Sequence, residues 1–178
     1  MNVYAKQNDL LLTNLKAYYS EDNFSRLDNI LKILNGDSSI SLRIIDWFVT
    51  NFSKQRYVVY TLSTGSRFKV YNDYKLKLKA YSKKRFDPFC RWEKIIIPYK
   101  SQFIQTTIGQ LNFFKWVIDN EIIEYIEKEY AEIEQDMNSR NSTARPKSEK
   151  SRKKREELSI SASKSIKKEI IAVSLSFD

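Results

Sequence analysis

Turn-making residues are scarce in this chain: three Gly and three Pro serve 178 positions. Loop-dominated and turn-rich all-β folds need many such residues between their strands, so the scarcity points to long regular elements, chiefly helices. The apolar spacing agrees. Phe24, Leu27, Ile30, Leu31 and Leu34 recur every three or four residues, giving one stripe of a helix that Asn35-Gly36 ends. Asp37, Ser38 and Ser39 offer N-cap side chains for a following helix in which Ile44, Ile45, Phe48 and Phe52 share a face. With a weakly patterned helix near Asp9 to Tyr19, residues 1–54 read as three helices.

The pattern then changes. Arg56 to Leu62 is rich in β-branched and aromatic residues, Ser63-Thr64-Gly65-Ser66 is a turn signal, and Arg67 to Tyr71 resumes strand chemistry. This predicts a β-hairpin over 56–71 that ends at Asn72-Asp73. From Tyr74 to Arg85 two templates compete. As a strand, Leu76, Leu78 and Ala80 alternate with lysines. As a helix, Tyr74, Leu78 and Tyr81 align, with Lys75, Lys79 and Lys83 on an adjoining face. A continued strand would exceed the usual length, so the helix is preferred, and Leu76 is left unexplained. Pro88 breaks that element, because the residue before a proline avoids helical backbone. Lys94 to Pro98 reads as a short strand, and Thr107 with Gln110 as a capping box opening a helix apolar on more than one face. A break follows near Asp119-Asn120, and Ile122, Ile126, Tyr130, Ile133 and Met137 make a second stripe.

Composition changes again after residue 138. Residues 139–157 are polar and small around a basic run, Arg152, Lys153, Lys154 and Arg155, which reads as a flexible linker. In the C-terminal segment 158–178, Ile171, Val173, Leu175 and Phe177 alternate with smaller residues, the mark of a half-buried strand over 170–177. A lone strand is not stable, so it must join the hairpin, a second copy of the chain, or another protein by β-augmentation. The expected fold class is α+β, mostly helical, with a small antiparallel sheet built on the 56–71 hairpin that 170–177 can complete.

The chain has no histidine and one cysteine, which excludes Ser-His-Asp and Cys-His mechanisms, imidazole metal sites and intrachain disulfides. Cys90 reads as a buried structural residue. Carboxylate-metal chemistry stays open, and Asp73-Tyr74-Lys75 has the form of one half of a nuclease site. Its partner acid is missing from Arg56 to Leu62, and Asp46 falls on a helix. No enzyme and no cofactor are therefore expected. No apolar run is long enough for a signal peptide or a membrane span, so a reducing compartment, cytoplasm or nucleus, is expected.

The net charge is +9. Between Arg67 and Lys94, ten Lys and Arg face three acids, with Tyr71, Tyr74, Tyr81, Phe86, Phe89 and Trp92 interleaved. Cations beside aromatic faces suit backbone-directed or single-stranded nucleic-acid binding. The candidate contacts are Lys75, Lys79, Lys83, Lys84, Arg85 and Arg91, aided by Tyr81 or Trp92; the plainer alternative is a solvated lysine face over core aromatics. The run 152–155 would add a phosphate-binding tether or an import-like signal, or would serve only as a solvated linker. A helix-turn-helix over 103–130 fails on charge, because Asp119 to Asp136 carries eight acids and one lysine.

Three phrases, ISLRIIDWFVTN at 40–51, YSKKRFDPFCR at 81–91 and TTIGQLNFFKW at 106–116, resemble an uncharacterised protein family of the nucleocytoplasmic large DNA viruses, the giant viruses. The resemblance covers about residues 38–138 and contains no catalytic motif. It implies a viral factor acting in the host cytoplasm, nucleus or viral factory, or carried in the virion. The expected function is a non-enzymatic nucleic-acid-binding or nucleic-acid-associated factor. The competing expectation is a structural protein, such as a minor virion component, that meets acidic protein surfaces or self-associates through 170–177.

Overall fold

The structure, a computed structural model, describes residues 3–142. It opens with helices α1 (Val3–Ser20) and α2 (Ser25–Asn35). Gly36 ends α2 at φ 79°, its N–H donating to Ile33 while Asp37 donates to Lys32, a Schellman closure that glycine enters without Cβ strain. Helix α3 (Leu42–Trp47) is capped by Ser41, whose Oγ accepts from the Ile44 N–H, and not by Asp37–Ser39 as its sequence suggests. Ser38 is occupied one turn earlier, accepting from Ile40.

Winding continues past Trp47 through a π-helical turn, Phe48–Phe52, into the short α4 (Ser53–Arg56). Hydroxyls on both sides of the turn engage the backbone: Thr50 donates to the Asp46 carbonyl at 2.6 Å and Ser53 to that of Val49 at 3.0 Å. Such back-bonding bends helices. Phe48, Val49 and Phe52 are buried on the inner side, as their spacing predicts.

Tyr57 stops α4 in the left-handed region (φ 49°, ψ 47°). The predicted hairpin follows, but with three residues in each strand: β1 (Val59–Thr61) pairs antiparallel with β2 (Arg67–Lys69), Tyr60 opposite Phe68. Its expected ends are helical instead, because Arg56 completes α4 and Val70, fully buried, begins α5 (Val70–Arg85). The helix reading of 74–85 holds. Tyr74, Leu78 and Tyr81 pack on the core, and Leu76 lies on the outer side, 64% exposed. The helix is not continuous, however: Ser82 has φ 60° and ψ 166°, so Lys83 does not extend the stripe of Lys75 and Lys79.

The segment after α5 is strapped to the start of α6 (Ile108–Asp119). Asn112 donates to the Arg85 carbonyl, Gln110 to that of Pro88, and the Asp87 N–H donates to Gly109. A Cβ at Gly109 would stand 2.8 Å from the Lys84 carbonyl oxygen, so glycine here permits close backbone contact. Thr107 caps α6 by accepting from the Gln110 N–H, but the Gln110 side chain goes to Thr106 and Pro88, so the capping box is only half formed. The expected strand near 94–98 is β3 (Ile95–Tyr99), paired antiparallel with an unforeseen β4 (Gln102–Thr106); Ile97 faces Ile104, both buried.

Helix α6 is central. Leu111, Phe113, Phe114, Trp116 and Val117 are buried, and α1 docks on it through Tyr19, whose hydroxyl donates to the Leu111 carbonyl at 2.7 Å. Asn120 closes α6, and α7 (Ile122–Lys128) and α8 (Tyr130–Ser142) follow. Ile122, Ile126 and Ile133 are fully buried along the predicted stripe. The architecture is α+β, helices with two separate two-stranded antiparallel sheets. Helix α8 runs past the 138 boundary; the rest of the 139–157 linker, the run 152–155 and the strand over 170–177 lie outside the described residues.

Candidate nucleic-acid interface

Helix α5 turns Val70, Tyr74 and Leu78 inward, which leaves Asn72, Lys75, Leu76 and Lys79 outward at helical spacing. Beyond the Ser82 kink, Lys83 and Lys84 are also exposed. Among the described residues no carboxylate comes within ion-pair distance of Lys75, Lys79, Lys83 or Lys84. The Lys84 ammonium lies 5.9 Å from the ring centroid of Trp92, which is 37% exposed. Cation and ring thus stand side by side at the surface, within cation–π range.

The remaining candidates are placed differently. Arg85 is half-buried and reaches α1, donating to Asn8 at 2.7 Å and Gln7 at 3.2 Å. Arg91 is held by the buried Asp87 through two contacts of 2.7 and 3.0 Å, which meets its charge from within. That pair, with Asp46 nearby, raises the Arg91 pKa. Tyr81 stacks on Phe86 with centroids 6.3 Å apart, so one of its faces serves the core. The candidates therefore divide into exposed lysines and Trp92, and Arg85, Arg91 and Tyr81, each of which also makes a contact within the fold.

Among the described residues no acid of α7 or α8 comes within ion-pair distance of these lysines. Helix α8 meets α3 and the π-turn; Glu132 pairs with Arg56 at 3.1 Å, Asp136 with Arg140 at 3.0 Å, and Asp136 also accepts from the Trp47 indole. Asp73 accepts from the Trp116 indole at 2.6 Å. Burial pushes the Asp46 carboxyl up to about 6, with Asp87 adding to the rise and Arg91 opposing it. Among the described residues no group of three His, Cys, Asp or Glu side chains could hold a metal ion. Cys90 is buried, and burial raises its thiol pKa.

A second cationic group was not evident from the pattern. Lys54 and Lys75 approach the Tyr71 ring at 5.7 and 5.8 Å, Lys69 lies at the end of β2, and Tyr57 stands 84% exposed beside them. The sequence pattern places Lys54 at the end of a helix and Tyr57 in a strand, and no glycine marks the reversal at Tyr57 that gathers them.

One family profile matches residues 2–178. The chain belongs to DUF7197, a family of unknown function. A curated relative of this DUF7197 chain, the "Uncharacterized protein L507" of Acanthamoeba polyphaga mimivirus, is 39% identical over 158 residues. The match takes in 84% of the DUF7197 chain and 60% of the relative, so the chain spans less than two thirds of that protein's length. The giant-virus resemblance seen in the three phrases is thereby shown. No solved structure matches. No helix among the described residues is long and apolar enough to cross a membrane.

Proposed function

We propose that the chain is a non-enzymatic nucleic-acid-binding factor that contacts phosphates through the outward side of α5 and the turn after it. The observation that carries this reading is that four exposed lysines on α5, Lys75, Lys79, Lys83 and Lys84, have no carboxylate partner among the described residues, with Lys84 beside the exposed Trp92. An ammonium left unpaired is free to replace a phosphate's counterion, and the released ion drives binding. The basic run 152–155 would extend the same field, and the place of action would be the infected cell's cytoplasm, nucleus or viral factory.

Four phosphate contacts give a log–log salt slope of about −3.6 on duplex DNA. Replacing Lys79, Lys83 and Lys84 together with Gln should reduce that slope by about 2.7, read by fluorescence anisotropy across a salt series. An unchanged slope in the triple variant would remove the proposal.

A second reading has its own observation. On β3 and β4, Ile96, Pro98 and Phe103 are exposed, and Pro98 and Phe103 are cross-strand partners. An exposed apolar face of this kind suits a protein partner, as a structural or virion component would need. Under that reading Phe103→Ser abolishes assembly while nucleic-acid affinity is untouched, which sedimentation of the variant decides.

A further inference from the structure

A cleft of about 480 Å³ opens between α4, the start of β1 and the first turn of α5. Ser53, Lys54, Tyr57, Val59, Lys69 and Tyr71 are among its lining residues. Its volume falls in the range of small-ligand sites. The chemistry of the wall is uneven. Val58, Val59 and Tyr71 line it beside Lys54 and Lys69, and the ammonium groups of Lys54 and of the neighbouring Lys75 stand 5.7 and 5.8 Å from the Tyr71 ring centroid. None of the three lysines has a carboxylate within ion-pair distance among the described residues.

Tyr57 is the informative residue. It occupies the left-handed position that closes α4, where glycine is the residue without strain and any side chain is disfavoured. The return is not packing, because the ring is 84% exposed. Its backbone is nonetheless fixed: the Tyr57 and Val58 N–H groups both donate to the Ser53 carbonyl. A flat ring is thus held in solvent at the mouth of a cationic cleft.

We propose that this cleft is a nucleotide subsite for an unpaired strand, in which Tyr57 and Tyr71 take a base and Lys54, Lys69 and Lys75 take the adjoining phosphates. The inference rests on the nucleic-acid reading and adds a strand preference to it. Duplex DNA keeps its bases stacked and cannot fill the cleft, whereas every base of a single strand offers a face for stacking. Lys75 belongs to both surfaces, so a strand leaving the cleft continues along α5 toward Lys79.

The test uses the full chain and a labelled oligothymidylate of about twelve nucleotides, with a duplex of equal length beside it. Tyr57→Ala should weaken single-strand binding by roughly tenfold, Tyr57→Phe should restore it, and duplex binding should stay within about twofold. An oligonucleotide carrying 5-iodouracil should crosslink to Tyr57 on irradiation. If Tyr57→Ala binds the single strand like the parent and no crosslink reaches Tyr57, the subsite is wrong; a flattened salt slope in the Lys79, Lys83 and Lys84 variant would then leave the α5 reading standing. Loss of both responses overturns both. An equal weakening of polyglutamate binding by Tyr57→Ala would also overturn the subsite, since an acidic peptide has no base to stack.

Discussion

Gly109 shows how one missing Cβ positions a segment rich in charge. The Lys84 carbonyl oxygen can approach α6 closely only because nothing projects from residue 109. Gly109→Ala must push that backbone away and loosen the strap formed by Asn112, Gln110 and Gly109 itself. The expected loss is about 1–3 kcal/mol, read from denaturant unfolding. Asp46 supplies a test of opposite sign. Its carboxyl is raised from 3.8 to about 6 by burial, so the folded protein holds that proton more tightly than the unfolded chain does. Stability should therefore fall as pH rises from about 4 to about 6, and then level off. Asp46→Asn should flatten that dependence and stabilise the protein at pH 7 by about 1–3 kcal/mol, measured by thermal unfolding across the range. At this scale the sequence is least legible. Tyr57 sits among residues of high strand propensity, and nothing local announces a left-handed backbone there. Asp87 and Arg91 are four residues apart in a segment that is not helical, so their pairing is visible only once Asp87 is buried.

At the scale of elements, Ser82 separates two arrangements of the same lysines. Its backbone lies in a region that only glycine enters without cost. Ser82→Gly should therefore stabilise the protein by up to about 1 kcal/mol, whereas in an unbroken helix the same change would destabilise by about as much. Chemical denaturation gives the sign directly. The helices were readable because their apolar residues repeat: the stripes at 24–34, 44–52 and 122–137 are all inward-facing, and Gly36 stops α2 as expected. The hairpin at 59–69 was readable from Val, Tyr and the Ser-Thr-Gly-Ser turn. Strand β4 was not, because Gln102, Gln105 and Thr106 give it no alternation and its turn at Lys100-Ser101 contains no glycine. The boundary at β2 and α5 was misplaced because Val70 and Tyr71 favour strands by propensity, while burial of Val70 against the core commits it to the helix.

For the molecule as a whole, the sign of charge is sorted by element. Lysines cluster on α5, acids on α7 and α8, and Arg56 ties the acidic side to the end of α4 through Glu132. A polyanion would be oriented before contact, so raising salt should slow association far more than it speeds release. Stopped-flow mixing with labelled nucleic acid at several salt concentrations checks this expectation. The legible part is the existence of a cationic region; the division into lysines without carboxylate partners and arginines with polar partners comes from tertiary contacts, which no spacing rule encodes. The π-turn at Phe48–Phe52 feeds directly into this layout. A π-turn holds one residue more than an ordinary turn, so everything after it is rotated by about 100° relative to α3. Deleting Thr50 would re-tighten the coil and swing Lys54 and Arg56 round its axis, one out of reach of Tyr71 and the other of Glu132. A single residue's worth of slack thus acts as the rotary setting that aims both cations.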